Sequence, residues 1–214
     1  RDLHSFPTRR SSDLAALRQT AGKGRYTREW SSPPGGLYMS IAENLTHKNI
    51  PAIAYPLCMA VAVHRWLKKT YKISDMFIKW PNDVYINMKK ICGILSTVQT
   101  CGERSVIITG IGINVRNEVP DNGTSLVLLL PERSFNLHTM LQALVREIEN
   151  TDDNMESVRA YITNYLWGKD QIRKLTIHGQ ETRGIIRGIA DDFSLLLEDE
   201  HTGTITKHSL GEME

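Results

Sequence analysis

KWPNDVYINMKKICGIL, residues Lys79 to Leu95, reads as short strands folded back on each other. The run Met76–Trp80 is apolar and aromatic, Pro81-Asn82-Asp83 is a turn signal, and Val84–Asn87 and Lys90–Leu95 resume the strand pattern. Working outward, SVIITGIGINV at 105–115 is a buried-strand run whose Gly110 and Gly112 suit close approach by another backbone or a ligand. Leu37 to Ile41 reads as a strand after the Pro33-Pro34-Gly35-Gly36 turn. Helices must cover such strands. Ile53–Tyr71 is apolar and ends Arg/Lys-rich, which suits a helix C-terminus facing the macrodipole, with Pro56 in its first turn. Leu137, Met140, Leu141, Leu144, Val145 and Ile148 fall on one helical face, and Met155 to Leu166 reads as a further helix.

After Trp167 the pattern changes. KLTIHGQ, TRGIIRGI, DDFSLLLED and GTITKHSL are short strands at close spacing, a small all-β module of about five strands. The expected class is α+β, a mixed β-sheet packed with helices followed by a small β-barrel. The expected domains are 15–168 and 169–214. Arg1 to Leu14 lacks an initiator Met and any periodicity, and is set aside as non-native.

Composition excludes more than it assigns. Apolar content of 41% in 214 residues supports a real core, and a net charge of +2 gives no bulk attraction to nucleic acid or a membrane surface. The run Ile50 to Val63 is short of the roughly 20 residues a membrane span requires. Three cysteines without a C-x-x-C suggest reduced thiols and a cytoplasmic setting. The histidines have no H-E-x-x-H spacing, and neither a Walker loop nor G-x-S-x-G occurs.

Two segments carry chemistry. In QTAGKGRYTREW, residues 19–30, glycines allow backbone N–H groups near an anion while Lys23, Arg25 and Arg28 supply charged donors. An ordinary exposed basic loop is the alternative. In Lys79–Leu95, Asn82 and Asp83 are turn residues by default. A lysine held near a sheet that also offers an Asp suits an anionic ligand with its metal.

These segments, with GIGINV at 110–115, resemble the signature of biotin protein ligases over Gln19 to Leu126. The terminal module, closing on GEME, resembles that family's SH3-like domain, and the whole resembles the class II synthetase-like fold of biotin/lipoate ligases. The resemblance implies that biotin and ATP, with Mg²⁺, form biotinyl-5′-adenylate, which acylates a lysine of a biotin carboxyl carrier protein. It implies catalytic roles for Arg25 and Lys90, at the biotin carboxylate and the α-phosphate. Biotin would also meet Gln19, Lys23, Gly24 and Gly93, and ATP would meet Arg25, Arg28, Trp30, Asn82, Asp83 and Asn114. Asp83 would serve Mg²⁺. A homodimer is compatible with the resemblance, and no nucleic-acid or membrane partner is indicated.

The chain also departs from the pattern. GRGRRGR becomes GKGRYTR, so Tyr26 and Thr27 replace an Arg and a Gly, and Ser96-Thr97 replace an acidic residue after GIL. The Ser/Thr pair expected on a strand before Gln19 is missing, which implies N-terminal truncation and weaker biotin binding. No helix-turn-helix is visible. The rival readings are a lipoate or octanoyl transferase of the same superfamily and a truncated, non-catalytic binding module.

Overall fold

The computed structural model describes residues 4–5, 12–45, 50–151, 154–177 and 179–213. In chain order the elements are β1 (His4–Ser5), β2 (Ser12–Ala16), β3 (Leu37–Asn44), α1 (Ala54–Tyr71), β4 (Met76–Lys79), β5 (Asp83–Ile86), β6 (Lys89–Cys101) and β7 (Arg104–Ile113). There follow α2 (Leu126–Leu129), α3 (Leu137–Glu149), α4 (Met155–Asn164) and five strands. These are β8 (Ile172–Ile177), β9 (Gln180–Ile189), β10 (Leu195–Glu198), β11 (Ile205–His208) and β12 (Glu212–Met213). The α+β class and the closing all-β module are as expected. Of the Arg1–Leu14 segment, residues 4–5 and 12–14 lie in β1 and β2, and the rest falls outside the described residues.

The first sheet has seven strands in the order β1-β2-β3-β7-β6-β5-β4. Every neighbouring pair is antiparallel, and parallel contacts are confined to isolated bridges such as Ile78 with Leu166. One face is apolar and takes the helices. Met76, Ile78, Val84, Ile86, Ile94 and Ile111 are buried there against Leu57, Val61 and Leu67 of α1. The period-2 strand pattern thus feeds one side of the core.

Helix α1 ends as its sequence foretold. Lys68 and Lys69 lie in the last turn, and Lys72 turns left-handed to donate its N–H to the Lys68 carbonyl at 3.1 Å. Helix α3 opens on Asn136, whose side chain accepts from the Thr139 N–H at 3.1 Å. Its stripe Met140, Leu141, Leu144, Val145 and Ile148 is buried, and each such side chain contributes about 1.5–3 kcal/mol on full burial. Helix α4 stops at Asn164 rather than Leu166, because Tyr165 and Trp167 exchange backbone hydrogen bonds with Ile78 at 2.8 and 2.9 Å. Sheet pairing ends the helix there.

The second sheet runs β11-β10-β9-β8-β12. Its core is continuous with the first. Trp80, 1% exposed, donates its indole N–H to the Phe193 carbonyl at 3.2 Å.

A polar knot pins α1 to α4. His64 is fully buried; Nε2–H donates to the Met76 carbonyl at 3.2 Å, so Nδ1 accepts from the Tyr161 hydroxyl at 2.9 Å. Burial, aided by the nearby cations Lys68 and Arg65, lowers the imidazole pKa to about 4. The native state therefore holds His64 neutral where the unfolded chain charges it. The stability tied to that neutral form is full above about pH 6.5 and is lost as pH falls toward about 4, up to about 3 kcal/mol. Melting temperatures across that window should fall more steeply than those of a His64→Gln variant, whose amide cannot take the proton. Parallel profiles would show that His64 is not the group responsible.

Candidate active site

A cavity of about 600 Å³ lies on the sheet face opposite the helices, roofed by the glycine- and arginine-rich loop. That loop is a hairpin. The backbones of Lys23 and Glu29 pair as an antiparallel β-bridge, the Gly24 N–H donates to the Arg28 carbonyl at 2.8 Å, and the Trp30 N–H donates to the Gly22 carbonyl at 2.9 Å. Gln19, Lys23, Gly24, Arg25, Arg28 and Trp30 all line the cavity from this side. The Ser32 hydroxyl donates to Gln19 Oε1 at 2.6 Å and fixes that side chain at the loop's base.

Asn82, Asp83, Lys90, Gly93 and Asn114 line it from the sheet. Their shared orientation depends on a β-bulge. Asp83 pairs with Gly93, Val84 with Cys92, and Tyr85 with Lys90, so Ile91 is an extra residue in β6. Ile91 and Cys92 are consecutive yet both fully buried, while Lys90 and Gly93 both face the cavity. The bulge is braced from behind: the Lys90 N–H donates to the Asn122 carbonyl at 3.1 Å, and its carbonyl accepts from the Thr124 N–H at 2.9 Å.

The ammonium of Lys90 lies 2.7 Å from Asp83 Oδ2. Burial raises the Asp83 pKa, against the opposing pull of Lys90, Lys79 and Arg25. Asp83 Oδ1 is buried without a hydrogen-bond partner among the described residues. The Asn82 amide donates to the Ile94 carbonyl at 2.6 Å, which locks the turn onto β6. Asn114 is 5% exposed, and its side-chain Oδ1 accepts from the Asn117 amide at 3.0 Å.

Trp30 lies flat on a floor of two glycines. A Cβ on Gly112 would come within 2.5 Å of the indole Nε1, and one on Gly93 within 2.7 Å of Cζ3. The Lys90 ammonium sits 5.1 Å from the same ring. Only glycine at both positions lets the indole reach the sheet.

The C-terminal module also reaches the site. Arg25 Nη1 donates to the Gly211 carbonyl at 3.0 Å, Arg28 pairs with Glu212, and Glu212 and Met213 line the cavity. Burial lowers the Arg25 pKa, opposed by Tyr26 and Asp83. Glu212, Ser40, Lys79 and Tyr85 were not singled out from the sequence. GEME was read as part of a module, and no local pattern marks a residue that becomes a neighbour only through tertiary packing.

Among the described residues no group of three or more His, Cys, Asp or Glu could hold a metal ion by itself. One carboxylate completed by substrate phosphates is enough for Mg²⁺, and the unpartnered Asp83 Oδ1 fits that donor set.

The arrangement can gather anions. Cations approach from a loop and from a sheet, and together they pull on one buried carboxyl.

Comparison with known proteins agrees with the geometry. Residues 7–114 match the model of the biotin/lipoate A/B protein ligase family. The chain is 32% identical over 198 residues to the bifunctional ligase/repressor BirA of Escherichia coli, spanning 85% of this chain and 60% of that protein. It is 34% identical over 142 residues to biotin–protein ligase 2 of Arabidopsis thaliana, spanning 63% of this chain and 43% of the other. The chain thus spans about 60% and 43% of the length of these two curated relatives. Among solved structures, the Aquifex aeolicus biotin protein ligase in complex with biotin and ATP superposes with a TM-score of 0.82 at 26% identity, covering 98% of this chain and 90% of that one.

Proposed function

The chain belongs to the biotin/lipoate A/B protein ligase family, and from that membership we propose that it activates biotin with ATP and transfers it to a lysine of a biotin carboxyl carrier protein. In the first step a biotin carboxylate oxygen attacks the α-phosphorus of ATP, the bond to the β-phosphate oxygen breaks, and pyrophosphate leaves. In the second the acceptor lysine amine attacks the acyl carbon, loses a proton, and AMP departs.

One observation carries this reading: Lys90, aimed by the bulge, and Arg25, carried by the loop, line one cavity and act on one carboxyl. Two anions cannot approach within bonding distance unless fixed cations offset their repulsion. Lys90 and Arg25 take that catalytic role. Gln19, Lys23, Gly24 and Gly93 enclose the vitamin, while Arg28, Trp30, Asn82 and Asn114 receive the nucleotide. Asp83 positions Lys90 through Oδ2 and would hold Mg²⁺ through Oδ1, and the ion, when bound, would neutralise phosphate charge. The loop, closed over the labile mixed anhydride, keeps water out.

The buried cysteines Cys58 and Cys92 fit a reducing compartment such as the cytoplasm. No described helix is long and apolar enough to cross a membrane.

The test is pyrophosphate release by the full chain with ATP and either biotin or lipoate, followed by label transfer to a biotin carboxyl carrier domain. Release with biotin alone, and label on a single carrier lysine, is expected. Turnover with lipoate alone overturns the substrate assignment. ATP and biotin binding without any release leaves a non-catalytic binding module.

A further inference from the structure

The turn of the ligand loop is built on a residue that its backbone does not favour. Tyr26 has φ +57°, a left-handed conformation where glycine is at ease and a bulky side chain is strained. The residue is 69% exposed, so core burial does not offset that strain.

The ring instead meets two cations. The Arg25 and Arg28 guanidinium carbons lie 5.0 and 6.0 Å from its centroid, and its hydroxyl accepts from Arg25 Nη2 at 3.1 Å. Arg28 also presses on its neighbour electrostatically, since its charge lowers the Arg25 pKa while Tyr26 raises it. An aromatic face is negative, so one ring shared by two guanidiniums offsets part of their mutual repulsion. The same guanidiniums are tied on their other side, to the Gly211 carbonyl and to Glu212.

We propose that Tyr26 is a positioning residue that holds Arg25 and Arg28 side by side at the cavity mouth before any ligand arrives, as a preformed receptor for the triphosphate of ATP. The proposal rests on the functional reading above and deepens it. Neither arginine then has to be ordered at the moment of binding, which lowers the entropic cost of capturing the polyanion. Tyr26 touches no reacting atom in this scheme; it acts through the two arginines.

Calorimetric titration of the full chain with ATP tests this across Tyr26→Phe, Tyr26→Ala and Tyr26→Gly. A second measurement needs no ligand: the rate of tryptic cleavage after Arg28. Tyr26→Ala should weaken ATP binding about fivefold and speed cleavage about threefold, since two exposed cation–aromatic contacts and a hydrogen bond are lost. Tyr26→Phe keeps the ring and should lose no more than about twofold in affinity. Tyr26→Gly should behave like Tyr26→Ala in both measurements although it relieves the backbone strain.

Wild-type affinity in Tyr26→Ala overturns the proposal. So does a Phe variant as weak as the Ala variant, because the ring would then not be the holder. A Gly variant that binds like wild type assigns the effect to the backbone and overturns it as well. If the cleavage series behaves as stated but unaltered protein binds neither ATP nor biotin, the clamp on the arginines stands and the function assigned to the site falls.

Discussion

Lys90→Ala is expected to lower pyrophosphate release from biotin and ATP by about a thousandfold or more. Losing one preorganised donor at developing charge costs about a hundred- to a thousandfold, and in the proposed reaction Lys90 serves two anions at once. A methyl group offers neither of them a positive charge. The substitution also leaves the Asp83 carboxyl buried without the cation 2.7 Å away, so that carboxyl takes up a proton more readily and the turn loosens. Stability and catalysis can be separated. Lys90→Ala/Asp83→Asn should recover the melting temperature lost by Lys90→Ala while remaining inactive. Retention of a tenth of wild-type release in the single variant would mean that Lys90 is not the sheet-side cation of the reaction.

The second large effect belongs to Gly112. A valine there would drive its Cβ to 2.5 Å from Trp30 Nε1 and 2.7 Å from Cε2. The indole must lift off the sheet, and the loop that carries Lys23, Arg25 and Arg28 lifts with it. Biotin affinity should fall about a hundredfold, the scale on which a 1 Å misplacement disables a positioned site. Gly112 faces the cavity rather than the helices, so the core remains intact and the melting temperature should change little. Adding Trp30→Ala to Gly112→Val should restore part of the binding, since the two sites clash through a direct contact. Biotin binding within about fivefold of wild type in Gly112→Val would show that the glycine floor does not set the loop's height.

Much of this was legible in the chain, for physical reasons that differ between elements. Helix α3 was readable because its apolar positions fall on one helical face, and all five of its buried side chains come from that face. Strands β4, β5 and β7 were readable because they are short apolar runs between turn residues. Strand β6 was read only to Leu95, whereas it continues to Cys101. Ser96, Thr97, Gln99 and Thr100 lack the apolar character that marks a strand, and pairing with β7 extends it regardless. The four-residue α2 is too short to show any period.

At the site, charge and glycine placement marked Lys23, Arg25 and Arg28 as a group, and the resemblance to biotin protein ligases singled out Arg25 and Lys90. The bulge that aims Lys90 did not stand out, because KKICGIL reads as an ordinary strand until its partner's register is known. Glu212 was hidden for a similar reason: its partner Arg28 lies 184 residues away in the chain. The left-handed turn at Tyr26 was also silent, since tyrosine is the last residue one would place there.

The extra residue in β6 limits where such a site can be transplanted. In a regular strand, alternate side chains share a face, so residues three apart point opposite ways. Lys90 and Gly93 are three apart. A designer who copied this motif onto a flat, unkinked sheet would keep either the glycine under the Trp30 indole or the Lys90 ammonium on the cavity side, and would find the other turned into the hydrophobic interior.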